Sequence, residues 1–237
     1  MHAPYGMSIL DNCLNCPARQ ERLFCALAMP TLQKLNEMKS TAIYPEAAVL
    51  FTEGQKPRGV FILCSGKAKL SASSRGGKTI ITKISEAGDV LGLSANILDR
   101  PYEVTAEMIE PGQANFILRE ALLQFLRDNI EVALRVGQLL SLNYYNAYEE
   151  IRTLGITCSP AEKFAKLLLS WYPARETNGV AQVKLRFTHE EIAEMIGTTR
   201  ETVTRLFTEF RKKHLVQRTG ATLVLRDKPA LVAMVHC

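Results

Sequence analysis

The sequence predicts an α+β protein with a strand-rich N-terminal half, one long helix, and a small C-terminal domain of helices with a hairpin. Three observations support this prediction. Short apolar runs separated by glycine turns occupy residues 43–118, apolar residues recur at helical spacing in residues 119–154, and a glycine turn joins two amphipathic segments in residues 187–210. Regularly spaced short strands indicate a sandwich or barrel, whereas steps of three and four residues indicate helices.

A lead segment, residues 1–30, comes before the first strands and carries Cys13, Cys16 and Cys25. It lacks the basic start and apolar run of a secretory signal, and no later run approaches the roughly 18 apolar residues of a membrane span. We therefore expect a soluble, cytoplasmic protein with no membrane partner. In that compartment the 6 cysteines of the chain are not expected to form structural disulfides.

The strand region, residues 43–118, consists of brief apolar runs. The clearest of these runs are Val49–Phe51, 60–63, 68–72 and 79–84. Glycines stand near their ends, at Gly54, Gly66, Gly77 and Gly88. Because glycine accepts turn conformations that cost other residues more, these positions predict the chain reversals between strands.

The long helical segment, about residues 119–154, contains a heptad seam. Its members alternate steps of four and three residues: Ala133, Gly137, Leu140, Tyr144, Ala147, Ile151 and Leu154. The seam predicts a homodimer in which two copies pack along a coiled coil, with the contacts made by its members from Leu140 onward. The small residues in the seam favour close approach of the helices. The alternative is a helix that packs on the sheet of its own domain.

Two short helices joined by a tight turn are predicted within residues 187–210. Thr188 and Glu191 have the spacing of a capping box at the start of the first helix. Gly197 ends that helix, since glycine adopts the left-handed conformation at little cost. The pattern is that of a helix-turn-helix.

The second of these helices, capped by Thr198 or Thr199, has one apolar and one polar face. The apolar face is formed by Val203, Leu206, Phe207 and Phe210. The polar face near the N-terminus carries Arg200, Glu201, Thr204 and Arg205. Arginine pairs with O6 and N7 of guanine and glutamate accepts from N4 of cytosine, so this face suits base edges in the DNA major groove. The alternative is an ordinary solvated, charged face.

The segments around this motif complete a winged helix. A helix over residues 161–171 and a polar stretch over residues 173–182 precede it, and residues 217–226 have the pattern of a hairpin with a glycine turn, the wing. Basic residues cluster in residues 184–226, and the whole chain carries a net charge of +5. This distribution is the electrostatic footprint expected for phosphate contacts.

With these parts in order, the chain resembles the Crp/Fnr family of bacterial transcription regulators. The resemblance is carried by the turns from Glu53-Gly54 to Gly88-Asp89, by the long helix, and by residues 187–210 with the hairpin behind them. It implies an N-terminal β-roll of the cyclic-nucleotide-binding jelly-roll type, a long dimerisation helix and a C-terminal winged helix-turn-helix. The expected domains are residues 1–30, 31–127, 128–155 and 156–237.

The resemblance also implies a DNA sequence and partners. Residues 200–205 are similar to the reading helix of the cyclic-AMP receptor protein branch, which implies TGTGA-like half-sites in a palindromic, double-stranded operator. Arg200 and Arg205 are each expected to contact a guanine, and Glu201 a cytosine. RNA polymerase is the protein partner implied by the family. The remaining candidate DNA contacts are Thr188, His189, Thr199 and Thr204, with a plain surface position as the alternative for His189.

Family members that bind cyclic AMP hold its ribose with a glutamate and its phosphate with an Arg-Ser pair. The matching positions in this chain are about Leu93, Glu103 and Val104. Leucine accepts no hydrogen bond, and a carboxylate repels a phosphate that needs charged donors. We therefore expect a signal other than cyclic AMP, such as oxygen or redox state. A cyclic-nucleotide-responsive regulator is the alternative.

Cys13, Cys16 and Cys25 resemble the N-terminal cysteines of FNR-type oxygen sensors, which hold a [4Fe–4S] cluster. Soft thiolates suit iron–sulfur clusters and other soft metals. The fourth ligand of those sensors corresponds to about Asn115, and the other cysteine of this domain, Cys64, has the pattern of a small buried residue in a strand. The fourth ligand is thus open. The alternatives are another metal, a thiol–disulfide switch, and cysteines without a ligand.

A thiol or metal redox protein is the alternative from another functional class. The sequence contains no nucleophile–base set and no cofactor fingerprint, so we expect no enzyme and no catalytic residues. A protein-docking role for the two-helix corner is disfavoured, because docking surfaces more often present apolar anchors than the charged residues found in this corner.

Overall fold

The structure is a computed structural model that describes residues 9–155, 159–171, 181–184, 187–219 and 222–235. The chain forms two compact units, Met1–Tyr144 and Tyr145–Cys237. The glycine turn of the predicted wing, Cys158 and Cys237 lie outside the described residues. No described helix is long and apolar enough to cross a lipid bilayer.

The first unit contains two antiparallel sheets of four strands each. One sheet has the order β1-β8-β3-β6 and the other the order β2-β7-β4-β5. The strands are β1 Ser40–Tyr44, β2 Val49–Phe51, β3 Gly59–Leu63, β4 Lys67–Ser73, β5 Thr79–Ser85, β6 Val90–Leu91, β7 Thr105–Glu110 and β8 Gly112–Leu118. The predicted domain of short strands, a sandwich or barrel, is confirmed and consists of these two sheets, and the α+β class of the whole chain is confirmed as well.

Strand β3 is a continuous apolar run that lacks the usual alternation of apolar and polar residues. All five of its residues are buried. Val60 and Ile62 join a hydrophobic cluster with helical residues, whereas Phe61 and Leu63 join a second hydrophobic cluster that contains Phe51. A strand covered on both faces has no solvent side, so its sequence is a continuous apolar run.

The lead segment packs on the strand domain. It contains two short 3-10 turns, Cys13–Asn15 and Arg19–Glu21, and helix α1, Met29–Met38, follows it. The buried Gln113 of β8 holds the backbone of Leu10 from both sides, with hydrogen bonds of 2.8 Å to its amide and 2.9 Å to its carbonyl. The segment is therefore an attached layer of the first unit.

The helical segment predicted over residues 119–154 consists of two helices, α3 Arg119–Asp128 and α4 Ile130–Gly155, and α4 lies within the range 128–155 expected for the long helix. The break between α3 and α4 is at Asn129, whose backbone is extended and whose side-chain amide donates to the Phe125 carbonyl at 2.9 Å. An asparagine side chain can satisfy the backbone outside a helix, so it ends one without proline or glycine. The remaining helix of this unit, α2 Leu93–Leu98, lies between β6 and β7.

The second unit is a small helical domain with a three-stranded antiparallel sheet. Its elements are α5 Pro160–Ser170, β9 Ala181–Lys184, α6 His189–Ile196, α7 Arg200–Lys212, β10 Val216–Thr219, β11 Thr222–Leu225 and α8 Lys228–Ala233. Strands β10 and β11 form the predicted hairpin, and β9 pairs with β11. Strand β9 was missed by the sequence analysis, which interpreted its first residues as part of a polar stretch.

Candidate nucleic-acid interface and thiol cavity

The start of α6 is fixed by a reciprocal cap, as predicted. The Thr188 hydroxyl accepts from the Glu191 amide at 3.1 Å, and the Glu191 carboxylate accepts from the Thr188 amide at 3.0 Å. The helix ends at Gly197, which has a left-handed backbone with φ of 64°. A side chain on the β-carbon would strain this conformation, so glycine makes the tight turn possible.

Helix α7 begins after Thr199, whose hydroxyl accepts from the Thr202 amide at 3.3 Å. Its apolar face is buried through Val203, Leu206 and Phe210, while Phe207 is partly exposed. The polar residues at its N-terminal end are all exposed: Thr199, Arg200, Glu201, Thr204 and Arg205. The first two turns of α7 therefore offer two guanidinium groups and a carboxylate to the solvent.

His189 has a contact that the sequence analysis missed. Its ring stacks on Phe207, with the ring centroids 4.9 Å apart, and its Nδ1 lies 2.9 Å from the Thr204 hydroxyl. Thr204 in turn donates to the Arg200 carbonyl at 3.0 Å. The imidazole thus joins the first turn of α6 to the polar face of α7. Burial lowers the pKa of His189 below 6.5, and the charges of Arg218 and Arg200 lower it further.

The exposed apolar stripe on α4 differs in part from the predicted seam. Of the predicted dimer contacts, Tyr144, Ala147 and Ile151 are exposed, whereas Leu140 is half-buried against its own unit and the Leu154 side chain lies outside the described residues. All residues from 141 to 148 are exposed, and exposed positions at heptad spacing along the whole helix are Ile130, Leu134, Gly137, Ser141, Tyr144, Tyr148 and Ile151. We call these seven positions the α4 stripe. It keeps the heptad spacing and shares three members with the predicted seam.

The lead cysteines lie around one small cavity of the first unit. Its lining includes Cys13, Cys16, Cys25, Cys64, Arg22 and Asn115. Cys64 follows directly after β3, and the sequence analysis had interpreted it as a small residue within the strand. Within the described ranges, no three His, Cys, Asp or Glu side chains form a group that could hold a metal ion. The four thiols thus share a cavity without forming a closed ligand set.

Burial governs the protonation of these thiols. It raises the pKa of Cys25 to about 12 and that of Cys64 to about 11, and the neighbouring thiols add to both shifts. The pKa of Cys13 is also raised by burial, although Lys39 opposes the shift. These three thiols therefore favour the protonated form, and a soft metal would have to displace their protons in order to bind.

The positions that match the nucleotide ligands of relatives are occupied differently in this structure. Leu93 is 3% exposed and belongs to the same hydrophobic cluster of the first unit as Val60 and Ile62. Tyr102, which precedes Glu103, stacks on Phe51 with the ring centroids 4.1 Å apart, and its hydroxyl donates to the Gly59 carbonyl at 2.6 Å. Apolar and aromatic contacts hold this part of the strand domain together.

Two protein families match the chain, one in each unit. Residues 42–129 match the cyclic nucleotide-binding domain, and residues 162–234 match the Crp-like helix-turn-helix domain. The first match covers most of the strand domain and α3. The second begins in α5 and ends just after α8.

Curated relatives extend these matches over most of the chain. A CRP-like cAMP-activated global transcriptional regulator of Mycobacterium tuberculosis (strain ATCC 25618 / H37Rv) is 22% identical over 210 residues, 88% of this chain and 94% of the relative. The transcriptional activatory protein AadR of Rhodopseudomonas palustris is 27% identical over 175 residues, 73% of this chain and 72% of the relative. The solved structure of FixK2 from Bradyrhizobium japonicum has a TM-score of 0.73 at 20% identity, covering 84% of this chain and 98% of that one, and shows the same fold.

Proposed function

The chain belongs to the Crp/Fnr family of transcription regulators, and from that premise we propose that it acts as a homodimer on palindromic DNA with TGTGA-like half-sites. Its helix-turn-helix is a DNA-binding domain, and its relatives are regulators of transcription rather than enzymes. The observation that carries the half-site is the exposure of Arg200, Glu201 and Arg205 on the first two turns of α7. These side chains match guanine, cytosine and guanine by their hydrogen-bonding groups. RNA polymerase is the proposed protein partner, by family resemblance, and the cytoplasm the proposed location.

A titration with a TGTGA palindrome and with a scrambled duplex of equal length, over a range of salt concentrations, tests the proposal. We expect a specificity ratio of at least about 10³ between the two duplexes. The logarithm of the binding constant should fall linearly with that of the salt concentration, by about 0.9 for each phosphate neutralised. Equal affinity for both duplexes contradicts the proposed half-site. If that equal affinity also falls with salt in the same way for both duplexes, the protein binds DNA only through phosphate contacts.

The homodimer is supported by the α4 stripe. Tyr144 is 73% exposed and Ile151 is 66% exposed, although both are large and apolar or aromatic. Exposed apolar and aromatic side chains at heptad spacing, with the small residues Gly137 and Ser141 between them, form a pattern by which two helices pack along a seam. A two-fold dimer would also present two copies of α7 to the two halves of a palindrome.

For the signal, we propose a [4Fe–4S] cluster held by Cys13, Cys16 and Cys25, which makes the regulator responsive to oxygen or redox state. The donor type fits, since thiols from the lead segment and from the strand domain line one cavity and clusters of this type take cysteine thiolates. The thiols would have to draw together around the cluster, because as they stand no three side chains of the described residues form a metal-holding group. A bound cluster would supply oxygen-sensitive redox chemistry. The protein's own part is to hold the thiols and to limit solvent access to them. A different soft metal, or a disulfide switch among the same thiols, is the alternative.

A cyclic-nucleotide-responsive regulator is the second candidate function. It is favoured by the match to the cyclic nucleotide-binding domain and by the M. tuberculosis relative, which is named as cAMP-activated. Against it stand the buried Leu93 and the carboxylate of Glu103 at the positions that would hold ribose and phosphate. Equilibrium dialysis with cyclic AMP distinguishes the two candidates, because the proposed function predicts no saturable binding.

A further inference from the structure

The cavity contains one thiol that the lead segment does not supply. Cys64 comes from the strand domain, 39 positions after Cys25 in the sequence, yet it lines the same cavity as the three lead cysteines. What this residue does there rests on the metal site proposed above.

The backbone of Cys64 is held in place from two sides. Its amide donates to the Gln113 carbonyl of β8 at 2.7 Å. Its carbonyl accepts from Nη2 of Arg22 at 3.0 Å, and Nη1 of the same guanidinium lies 4.0 Å from the Cys16 sulfur. Arg22 therefore connects the end of β3 with the lead cysteines, and the position of Cys64 relative to the cavity is determined by the fold.

Asn115 occupies the position where the family's sensors carry their fourth cysteine, and it already has partners. Its amide nitrogen lies 3.6 Å from the Cys13 sulfur, and its Oδ1 accepts from the Thr41 hydroxyl at 2.9 Å. Asn115 pairs with Ile62 across β3 and β8, so Cys64 lies two residues beyond that partner, directly after the end of β3. A thiol donor is thus present next to the expected position, at the end of the adjacent strand.

We infer that Cys64 is the fourth thiolate ligand of the proposed cluster, together with Cys13, Cys16 and Cys25. A [4Fe–4S] cluster takes four cysteine thiolates, and the four thiols of the described chain around this cavity make up that number. Each thiol gives its proton to the solvent as its sulfur binds iron, so no further reactant is needed for ligation. Asn115 and Arg22 are positioning residues, whose N–H groups face the Cys13 and Cys16 sulfurs.

The test is anaerobic reconstitution of the full chain with iron and sulfide, followed by measurement of bound iron, acid-labile sulfide and visible absorption. For wild type we expect about four iron and four sulfide per chain. Cys64→Ala should lower the affinity for the cluster by at least about tenfold, because even residues outside the ligand shell change metal affinity by that much. Cys158→Ala is the matched control, a cysteine substitution in the other unit, and should load as wild type does.

A rescue variant separates ligation from folding. Because Asn115 lines the cavity and contacts the Cys13 sulfur, Asn115→Cys in the Cys64→Ala background returns a fourth thiol and should restore iron, sulfide and absorption. Cys64→Ser, which keeps the size of the side chain, should lose the cluster while the metal-free protein melts at the wild-type temperature.

The outcomes distinguish this inference from the function on which it rests. Wild-type iron, sulfide and absorption in folded Cys64→Ala and Cys64→Ser overturn the role of Cys64 and leave the cluster in place. A parallel sample is loaded with zinc alone. If wild type binds zinc but no cluster, and both variants lose the zinc, Cys64 is a metal ligand but the cluster is overturned. A wild-type protein that binds neither metal overturns both, whereas the DNA titration tests the regulator independently.

Discussion

At the scale of single residues, the polar face of α7 combines exposed charge with a fixed backbone. Arg200 and Arg205 are exposed, and the turn below them is held by Thr199 and by the contact between Thr204 and His189. Identity and exposure of the two arginines follow from the sequence pattern alone, because the apolar residues of α7 define its buried side. The histidine contact does not, since it joins residues from two different helices.

Arg200→Ala tests direct base readout. If its guanidinium contacts one guanine, removing it should weaken binding to the TGTGA palindrome by about 1–3 kcal/mol, roughly 5- to 150-fold in Kd. The preference at that base pair should relax as well. Fluorescence anisotropy with a set of single-base variants of the half-site measures both effects.

The control for that experiment is Arg211→Ala, at the other end of the same helix. Its exposed side chain should affect all duplexes alike or not at all. An Arg200→Ala protein that loses affinity equally for every duplex, with its base preference intact, would show that Arg200 contacts only phosphates.

The environment of His189 predicts a pH dependence of stability. Its folded-state pKa is lowered below 6.5, first by burial and then by Arg218 and Arg200. The unfolded chain therefore takes up the proton more readily, so this contribution to stability is present above pH 6.5 and is lost as pH falls through the folded-state pKa. Unfolding in urea between about pH 5.5 and 7.5 measures the slope.

His189→Gln removes the titrating group and is expected to flatten that slope. Its stability at neutral pH should also fall, since the stacking on Phe207 is lost. A variant whose slope over this range equals that of wild type contradicts the assignment to His189.

At the scale of elements, helix α4 has a buried face and an exposed face, and the spacing of apolar residues in the sequence does not tell them apart. Val132, Val136 and Leu139 are buried in the first unit, whereas the α4 stripe faces the solvent. Both sets repeat at steps of three and four residues. The sequence therefore predicts an amphipathic helix, but two apolar stripes at the same spacing leave open which of them is covered by the helix's own domain.

The α4 stripe predicts where a charge breaks the homodimer. Leu134→Glu and Ile151→Glu each put a carboxylate into a packed seam, where an unpaired charge is costly. We expect each to raise the dimer dissociation constant by at least about tenfold, equivalent to roughly 1.4 kcal/mol. Analytical ultracentrifugation over a range of concentrations measures the change.

Gln138→Glu provides the matched charge change on the same helix. It is exposed and lies one position outside the stripe, so its dissociation constant should stay near that of wild type. Since Leu134 and Ile151 are exposed in the single chain, their variants should keep wild-type helix content. Dimers of unchanged strength in both stripe variants would place the interface elsewhere.

At the scale of the whole molecule, one chain joins a unit that matches the cyclic nucleotide-binding domain to a unit that matches the Crp-like helix-turn-helix domain. In the first unit Glu103 is exposed, whereas the residue before it, Tyr102, is buried and stacks on Phe51. The match in fold therefore does not by itself identify the signal, which depends on the side chains at the binding positions.

Cyclic AMP is accordingly expected to leave the stability of the protein unchanged. A ligand that binds only the folded state at 100 times its Kd adds about 2.7 kcal/mol of stability, which shifts a melting curve visibly. We expect no shift with cyclic AMP at millimolar concentration, measured by differential scanning calorimetry. A saturable rise in Tm would contradict the proposed redox signal and favour the cyclic-nucleotide candidate.

The sequence by itself determined those features that depend on residues close together in the sequence. The cap at Thr188, the turn at Gly197, the exposed charges of α7 and most strands of the first unit all follow from patterns of about ten residues or fewer. Such patterns act through local backbone preferences and through the alternation of buried and exposed sides, which the order of residues contains directly.

The tertiary structure decided what depends on pairing between distant segments. It placed Cys64 beside the lead cysteines, added β9 to the wing sheet, and determined which stripe of α4 remains exposed. These outcomes depend on strand registers and on the packing of segments far apart in the chain. A residue that gains its neighbours only when the chain folds carries no local signal for them. For that reason the position of Cys64 beside the lead cysteines is visible in the fold and not in the spacing of the cysteines.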